Sequence, residues 1–138
     1  MARWLVDTDV LIDVALGRES FVGPSREVIQ LLRERGETLL VAWHTISNFY
    51  YNLERPQDAA FAKDAVAQLL EFTEVAKTGT EDAHYALTLP IPDFEDAMQV
   101  AAARACDAQF ILTRNVRDYV DSPVPALSPT DALAELSR

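Results

Sequence analysis

With 138 residues, 49% hydrophobic and 25% charged, the chain suits one compact domain and is too apolar for a disordered segment. Its formal net charge of −10, from 22 acidic and 12 basic residues, argues against a grip on nucleic acid through a broadly basic surface. Any such function needs local arginines or a bound cation that reverses the field; otherwise the acidity serves solubility alone.

In chain order, "RWLVD" reads as a short buried strand and "DVLIDVALG" as a helix closed by Gly17. "GPSREVIQLLRERGE" is a helix with Val28, Leu31 and Leu32 on one face, stopped by Gly36. "TLLVA" is a continuous apolar strand of the kind found inside parallel sheets. "HTISNFYYNLER" follows as a helix with Ile46, Phe49, Tyr50 and Leu53 at helical spacing. "PQDAAFAKDAVAQLLEF" is expected to open on Pro56 and to bury Phe61, Ala65 and Leu69. "TEVAK" reads as a short strand, "GTEDAHYALTL" as a helix, and "DFEDAMQVAAARAC" as an alanine-rich helix that packs closely. "AQFILT" is a strand, "NVRDYV" a loop or short helix, and "VPALS" an edge strand limited by its prolines. "SPTDALAELS" closes the chain as a helix with Ser128 as N-cap and Pro129 at its first position.

Strands and helices alternate, so the expected fold is α/β, a mostly parallel sheet with helices on both faces, in a single domain over residues 1–138. The single cysteine, Cys106, cannot form an intrachain disulfide and fits a reducing compartment. The apolar N-terminal run is short for a signal peptide and no segment approaches a membrane span, so the expectation is a cytoplasmic domain with no membrane partner.

Ligands of such sheets collect at the carboxyl ends of the strands. Asp7 ends the first strand there. Asp9 reads as the cap of the first helix, and Asp13, one turn on, as a solvated position or an outer-shell group. Asp93 and Asp96 share the start of a later helix, where Asp93 has an N-cap reading and Asp96 lies beside the buried stripe. Thr113 ends another strand, so the loop with Arg114, Asn115, Arg117 and Asp118 emerges at the same edge. It is either a helix-starting turn with solvated arginines, or metal- and water-holding groups flanked by phosphate contacts. Arg18 is a phosphate contact or a surface residue. His44 reads as a helix-start or surface residue, and Tyr50 and Tyr51 as packing or dimer-face aromatics. Carboxylates at one edge, without histidine or cysteine partners, suit Mg²⁺ or Mn²⁺ and phosphodiester hydrolysis.

Taken in order, "LVDTDVLID", "AWHTISNFYYNL" and "DFEDAMQVAAARACDAQFILTRNVRDY" resemble the PIN-domain family, and within it the VapC-like toxins of prokaryotic toxin–antitoxin pairs. The resemblance covers nearly the whole chain. It implies a three-layer α/β sandwich, Mg²⁺- or Mn²⁺-dependent cleavage of single-stranded RNA, a homodimer and a cognate antitoxin. It places family aspartates on Asp7 and Asp96, and two further family acids on Asn48 and Asn115, which are amides here. An amide oxygen can ligate a hard cation but adds no charge. Asp118 then becomes the third carboxylate or an outer-shell group, Asn48 and Asn115 orient water, Thr113 supports the loop, and Arg114 or Arg117 faces the phosphate.

Two other readings compete. The amides and the charge of −10 fit a PIN fold that has lost catalysis and serves as a binding module. "VDTDVL" also approaches the DxDx[TV] signature of haloacid dehalogenase-like phosphatases, but Leu11 stands in place of the final Thr or Val.

Overall fold

The runs that are apolar at every position become strands covered on both faces. In the computed structural model, which describes residues 1–138, β1 (Arg3–Val6), β2 (Thr38–Val41), β3 (Glu74–Val75), β4 (Phe110–Leu112) and β5 (Ala126–Leu127) form one sheet. Its order is β3-β2-β1-β4-β5, and all neighbouring strands are parallel. Seven helices make the crossovers and the C-terminus: α1 (Thr8–Leu16), α2 (Val22–Glu34), α3 (Trp43–Glu54), α4 (Ala59–Phe72), α5 (Thr80–Thr88), α6 (Phe94–Ala105) and α7 (Pro129–Leu136). A single 3₁₀ turn spans Val116–Tyr119.

The period-two alternation of a strand divides the core. Trp4, Val6, Leu39, Val41 and Leu112 pack on one side with apolar residues of α1, α2, α3, α4 and α7. Leu5, Leu40 and Ile111 face the other side, against α5 and α6. The result is the expected three-layer α/β sandwich. Ala97, Ala101, Ala102 and Ala103 are buried, so small side chains let α6 lie close to its neighbours. Arg104 adds a cation–π contact from α6 to Tyr85 of α5, 3.8 Å from the ring centre.

The site is positioned by the contact between β1 and β4. Trp4 pairs with Phe110 across the two strands, and their rings stack with centroids 4.6 Å apart. Val6 pairs with Leu112, and Asp7 N then donates to the Leu112 carbonyl at 2.8 Å. The residues that follow the two strands, Asp7 and Thr113, therefore emerge side by side. Chain order reverses between these two strands, which makes this gap the topological switch point where open parallel sheets bind ligands.

The helix ends with clear cap signals in the sequence follow them, with one exception. Gly17 caps α1 in the left-handed region at φ 63°. Asp93 and Ser128 cap α6 and α7 through their side chains, accepting from Asp96 N and Asp131 N. The exception is α4: Asp58, not Pro56, opens it, because the Asp58 carboxylate accepts from Phe61 N at 2.8 Å. Phe61, expected inside, is 38% exposed, and the next residue, Ala62, takes the fully buried position. No helix is long and apolar enough to cross a membrane.

Candidate active site

Asp7 is the first residue beyond the central strand and only 8% exposed. By backbone conformation it is the N-cap of α1, yet its side chain makes no cap hydrogen bond. The carboxylate turns instead to three donors from other parts of the chain. Gln99 Nε2 of α6 donates to Oδ1 at 3.1 Å. The Thr113 hydroxyl, just past β4, donates to Oδ2 at 2.9 Å, and the Tyr119 hydroxyl on the 3₁₀ turn reaches the same oxygen at 2.8 Å. All three donors are neutral. Burial therefore outweighs them and raises the pKa of Asp7.

Asp9 and Asp13 both differ from their sequence expectations. Asp9 does not cap α1; it lies inside the first turn and accepts from Asn115 Nδ2 at 2.8 Å and Arg114 N at 3.3 Å. Burial, then the charge of Asp7, pushes its pKa up to about 7. Asp13, expected on a solvated face, is fully buried and is a structural ion-pair centre. Arg114 Nε lies 2.9 Å from Asp13 Oδ2, and Arg18 Nη1 lies 3.2 Å from Oδ1. The Arg114 guanidinium also stacks on Phe21, 4.2 Å from the ring centre. Helical spacing explains the difference: Asp9 and Asp13 are one turn apart on the same face, and that face meets the loop after β4 rather than solvent. Arg18 and Arg114 are thus first of all counter-ions of Asp13, whereas Arg117 is exposed on the 3₁₀ turn.

From the other side of the switch point, α6 brings Asp96, half-buried, with its Oδ1 3.2 Å from the Tyr119 hydroxyl. Burial, then the charges of Asp7 and Asp93, raises its pKa to about 6. Asp118 is exposed and has no side-chain hydrogen bond; it adds to the negative potential felt by Asp96. The two amides each hold a carboxylate. Asn48 Nδ2 donates to Glu95 Oε2 at 3.0 Å, just as Asn115 holds Asp9. His44 lies near Glu95 and Asp7, but burial outweighs their attraction and lowers its pKa.

The donor set fits a hard divalent cation of the Mg²⁺ or Mn²⁺ type. It consists of oxygens, and three of its carboxylates are pushed toward protonation by burial, with neighbouring charge adding to it for Asp9 and Asp96, a deficit that a cation removes. Gln99 adds a buried amide oxygen without a hydrogen-bond partner. No three His, Cys, Asp or Glu side chains converge into a complete cage. Mg²⁺ commonly uses one or two carboxylates plus waters and substrate phosphate, so the Asp7–Asp96 pair matches its habit.

With this geometry in hand, the relatives can be considered. Residues 3–117 match the family model described as PIN domain. The chain belongs to the PIN-domain family. This membership removes the phosphatase reading. Three solved structures share the fold. VapBC2 from Rickettsia felis bound to a DNA fragment from its promoter aligns with a TM-score of 0.74 at 12% identity, over 91% of this chain and 98% of that one. DNA-bound VapBC from Salmonella typhimurium gives 0.72 at 17%, over 94% and 99%. VapBC-1 from nontypeable Haemophilus influenzae gives 0.70 at 15%, over 93% and 98%. No curated protein sequence matches the chain.

Three residues of this PIN-domain site lie outside the sequence expectations: Gln99, Tyr119 and Thr45, whose hydroxyl is 3.2 Å from Gln99 Nε2. Gln99 left a trace, as a lone amide in an alanine-rich helix and one turn from Asp96. Tyr119 left none, because an aromatic in a short loop segment reads equally well as a packing residue.

Two consequences are measurable in this PIN domain without any ligand. Asp9 and Asp96 titrate at about 7 and about 6 when folded, against about 3.9 for an unfolded aspartate. The folded protein then binds more protons in this range, so the stability these groups add is full below about pH 4 and is lost as pH rises through 6–7. In metal-free buffer the urea midpoint should fall between pH 5 and pH 8; a flat or rising midpoint contradicts the electrostatics. Asp13→Asn should cost about 2–3 kcal/mol in urea unfolding, under the roughly 3–5 kcal/mol of a fully buried pair because both arginines reach solvent. A loss under about 0.5 kcal/mol, the ordinary surface range, would show that the cluster adds no stability.

Proposed function

We propose that this PIN domain is a Mg²⁺- or Mn²⁺-dependent ribonuclease that cleaves single-stranded RNA, and the toxin of a toxin–antitoxin pair. The observation that supports it most is the meeting of Asp7 and Asp96 around one hydroxyl at the topological switch point, both driven toward protonation for want of a counter-charge. Asp7 and Asp96 would hold the cation, with Asp118 as a further carboxylate close by. When bound, such an ion supplies an activated water and neutralises charge on the phosphodiester. The same cation explains how a chain of net charge −10 handles RNA, since it reverses the local field.

The chain's own residues do the rest. Gln99 and Thr113 fix the orientation of Asp7, so that its carboxylate is preorganised. Asn48 and Asn115 have their amide nitrogens engaged with Glu95 and Asp9, leaving oxygens to orient water. Arg117 is open to solvent and meets the backbone phosphates of RNA. Arg114 can join it only through the guanidinium nitrogens that Asp13 does not occupy, and Arg18 is the weaker candidate for the same reason. An antitoxin partner is part of this reading, supported by the likeness in fold to VapBC structures. Exposed Trp43 and Tyr51, 71% and 53% accessible on α3, supply apolar surface for a homodimer. A dimeric mass by light scattering at micromolar concentration is expected; a monomer counts against the assembly.

The decisive experiment is cleavage of a labelled single-stranded RNA by purified protein with and without Mn²⁺, with Asp7→Asn and Asp96→Asn run beside it. Cleavage should require metal and fall at least about a hundredfold in each variant, beyond what loss of an outer-shell partner usually costs. Mn²⁺ affinity by calorimetry should fall in parallel for Asp96→Asn. Metal-dependent binding without cleavage, in folded protein, would favour the binding-module reading that the two amides allow.

A further inference from the structure

Tyr119 lies outside the expected ligand set; its ring is part of the core on the α5–α6 side of the sheet, and its hydroxyl is not used by that packing. Its side chain is 3% exposed, and its hydroxyl lies 2.8 Å from Asp7 Oδ2 and 3.2 Å from Asp96 Oδ1. A phenol has one proton to give. The shorter contact assigns it to Asp7, and the same oxygen also touches Asp96. Two carboxylates joined in this way by a neutral hydroxyl are arranged for a protein without a cation.

A Mg²⁺-type ion held by the same two side chains would draw their oxygens to about 2.0–2.1 Å, much nearer than a hydrogen-bonded hydroxyl sits. The hydroxyl and the ion then compete for the space between the carboxylates. We infer that Tyr119 holds the cation's place in the metal-free protein, and that a divalent ion enters by displacing its hydroxyl from between Asp7 and Asp96. This rests on the reading of Asp7 and Asp96 as the metal-holding pair.

The surroundings favour competition over ligation. The hydroxyl is a neutral group on a buried ring, already engaged with both carboxylates, and so a poorer partner for a hard cation than a carboxylate. Asp7 does not depend on it for orientation, and Asp96 loses only this one side-chain hydrogen bond with it. Asp7 keeps Gln99 and Thr113, and the backbone of Asp96 is anchored by the Asp93 cap at 3.0 Å. Removing the hydroxyl therefore takes away a competitor and leaves the pair in place. Tyr119 becomes a positioning residue that sets the metal concentration at which the site fills.

The test is Mn²⁺ titration by calorimetry of the full chain after chelator treatment, comparing the natural protein with Tyr119→Phe. The variant keeps the buried ring and is expected to bind Mn²⁺ about fivefold more tightly, the scale of one hydrogen bond lost only from the metal-free state. Its metal-free form should also melt at a lower temperature, and added Mn²⁺ should raise its melting temperature by more than in the natural protein. Equal or weaker Mn²⁺ affinity in the variant overturns the placeholder role and leaves the metal pair standing. Absence of Mn²⁺ binding in both proteins overturns the metal pair and this role together.

Discussion

The structure around the site depends on one buried carboxylate without a counter-ion. Asp7 terminates the central strand, where the backbone is fixed on both sides by β2 and β4. Its side chain gathers donors from α6, from the end of β4 and from the 3₁₀ turn. Separate segments that share no local sequence are thereby tied to one point. Neutral donors satisfy its lone pairs but leave its charge uncompensated, which distinguishes this arrangement from a structural ion pair. Asp13, one helix face away, makes the contrast clear: it is fully buried and has two arginines. The same protein thus neutralises one buried aspartate completely and leaves the charge of the other uncompensated.

That division of labour also accounts for the arginines. The loop after β4 must stay in place for Thr113, Asn115 and Tyr119 to reach the site. Asp9 and Asp13 of α1 hold it, through the Arg114 backbone, the Asn115 amide and the Arg114 guanidinium. Arg114 looks like a phosphate contact in the sequence, and its first duty is to fasten the loop. Phe21 completes the fastening by covering the guanidinium face.

Much of this was legible in the sequence because the relevant signals are local. Continuous apolar runs such as "TLLVA" announced strands covered on both faces, and Gly17, Asp93 and Ser128 marked helix ends through ordinary cap chemistry. Asp7 and Thr113 could be placed at one edge, since parallel strands put all their carboxyl ends there. The partners of those residues were less legible. Whether Asp13 faces solvent depends on which loop docks against α1, and no periodicity contains that information. Tyr119 is an aromatic in a four-residue turn, and its hydroxyl matters only because β1 and β4 are neighbours. Pro56 misled for a simpler reason: a proline suits a first helical turn, but a nearby aspartate able to cap the backbone N–H groups set the start of α4.

The two amides each stand beside an acid supplied by another element. Asn48 and Asn115 stand where the resemblance leads one to expect acids, and each holds a carboxylate of a neighbouring element, Glu95 from α6 and Asp9 from α1. An acid at either position would face that neighbour as a like charge, in a corner where burial raises the pKa of Asp7, Asp9 and Asp96 and neighbouring charge adds to it for Asp9 and Asp96. An amide turns the same contact into a hydrogen bond while keeping an oxygen available. The corner therefore retains its negative potential, now spread over residues at different positions in the chain. The local field at this corner is set by Glu95 and Asp9 as well as by Asp7 and Asp96, and not by the residue types at positions 48 and 115 alone.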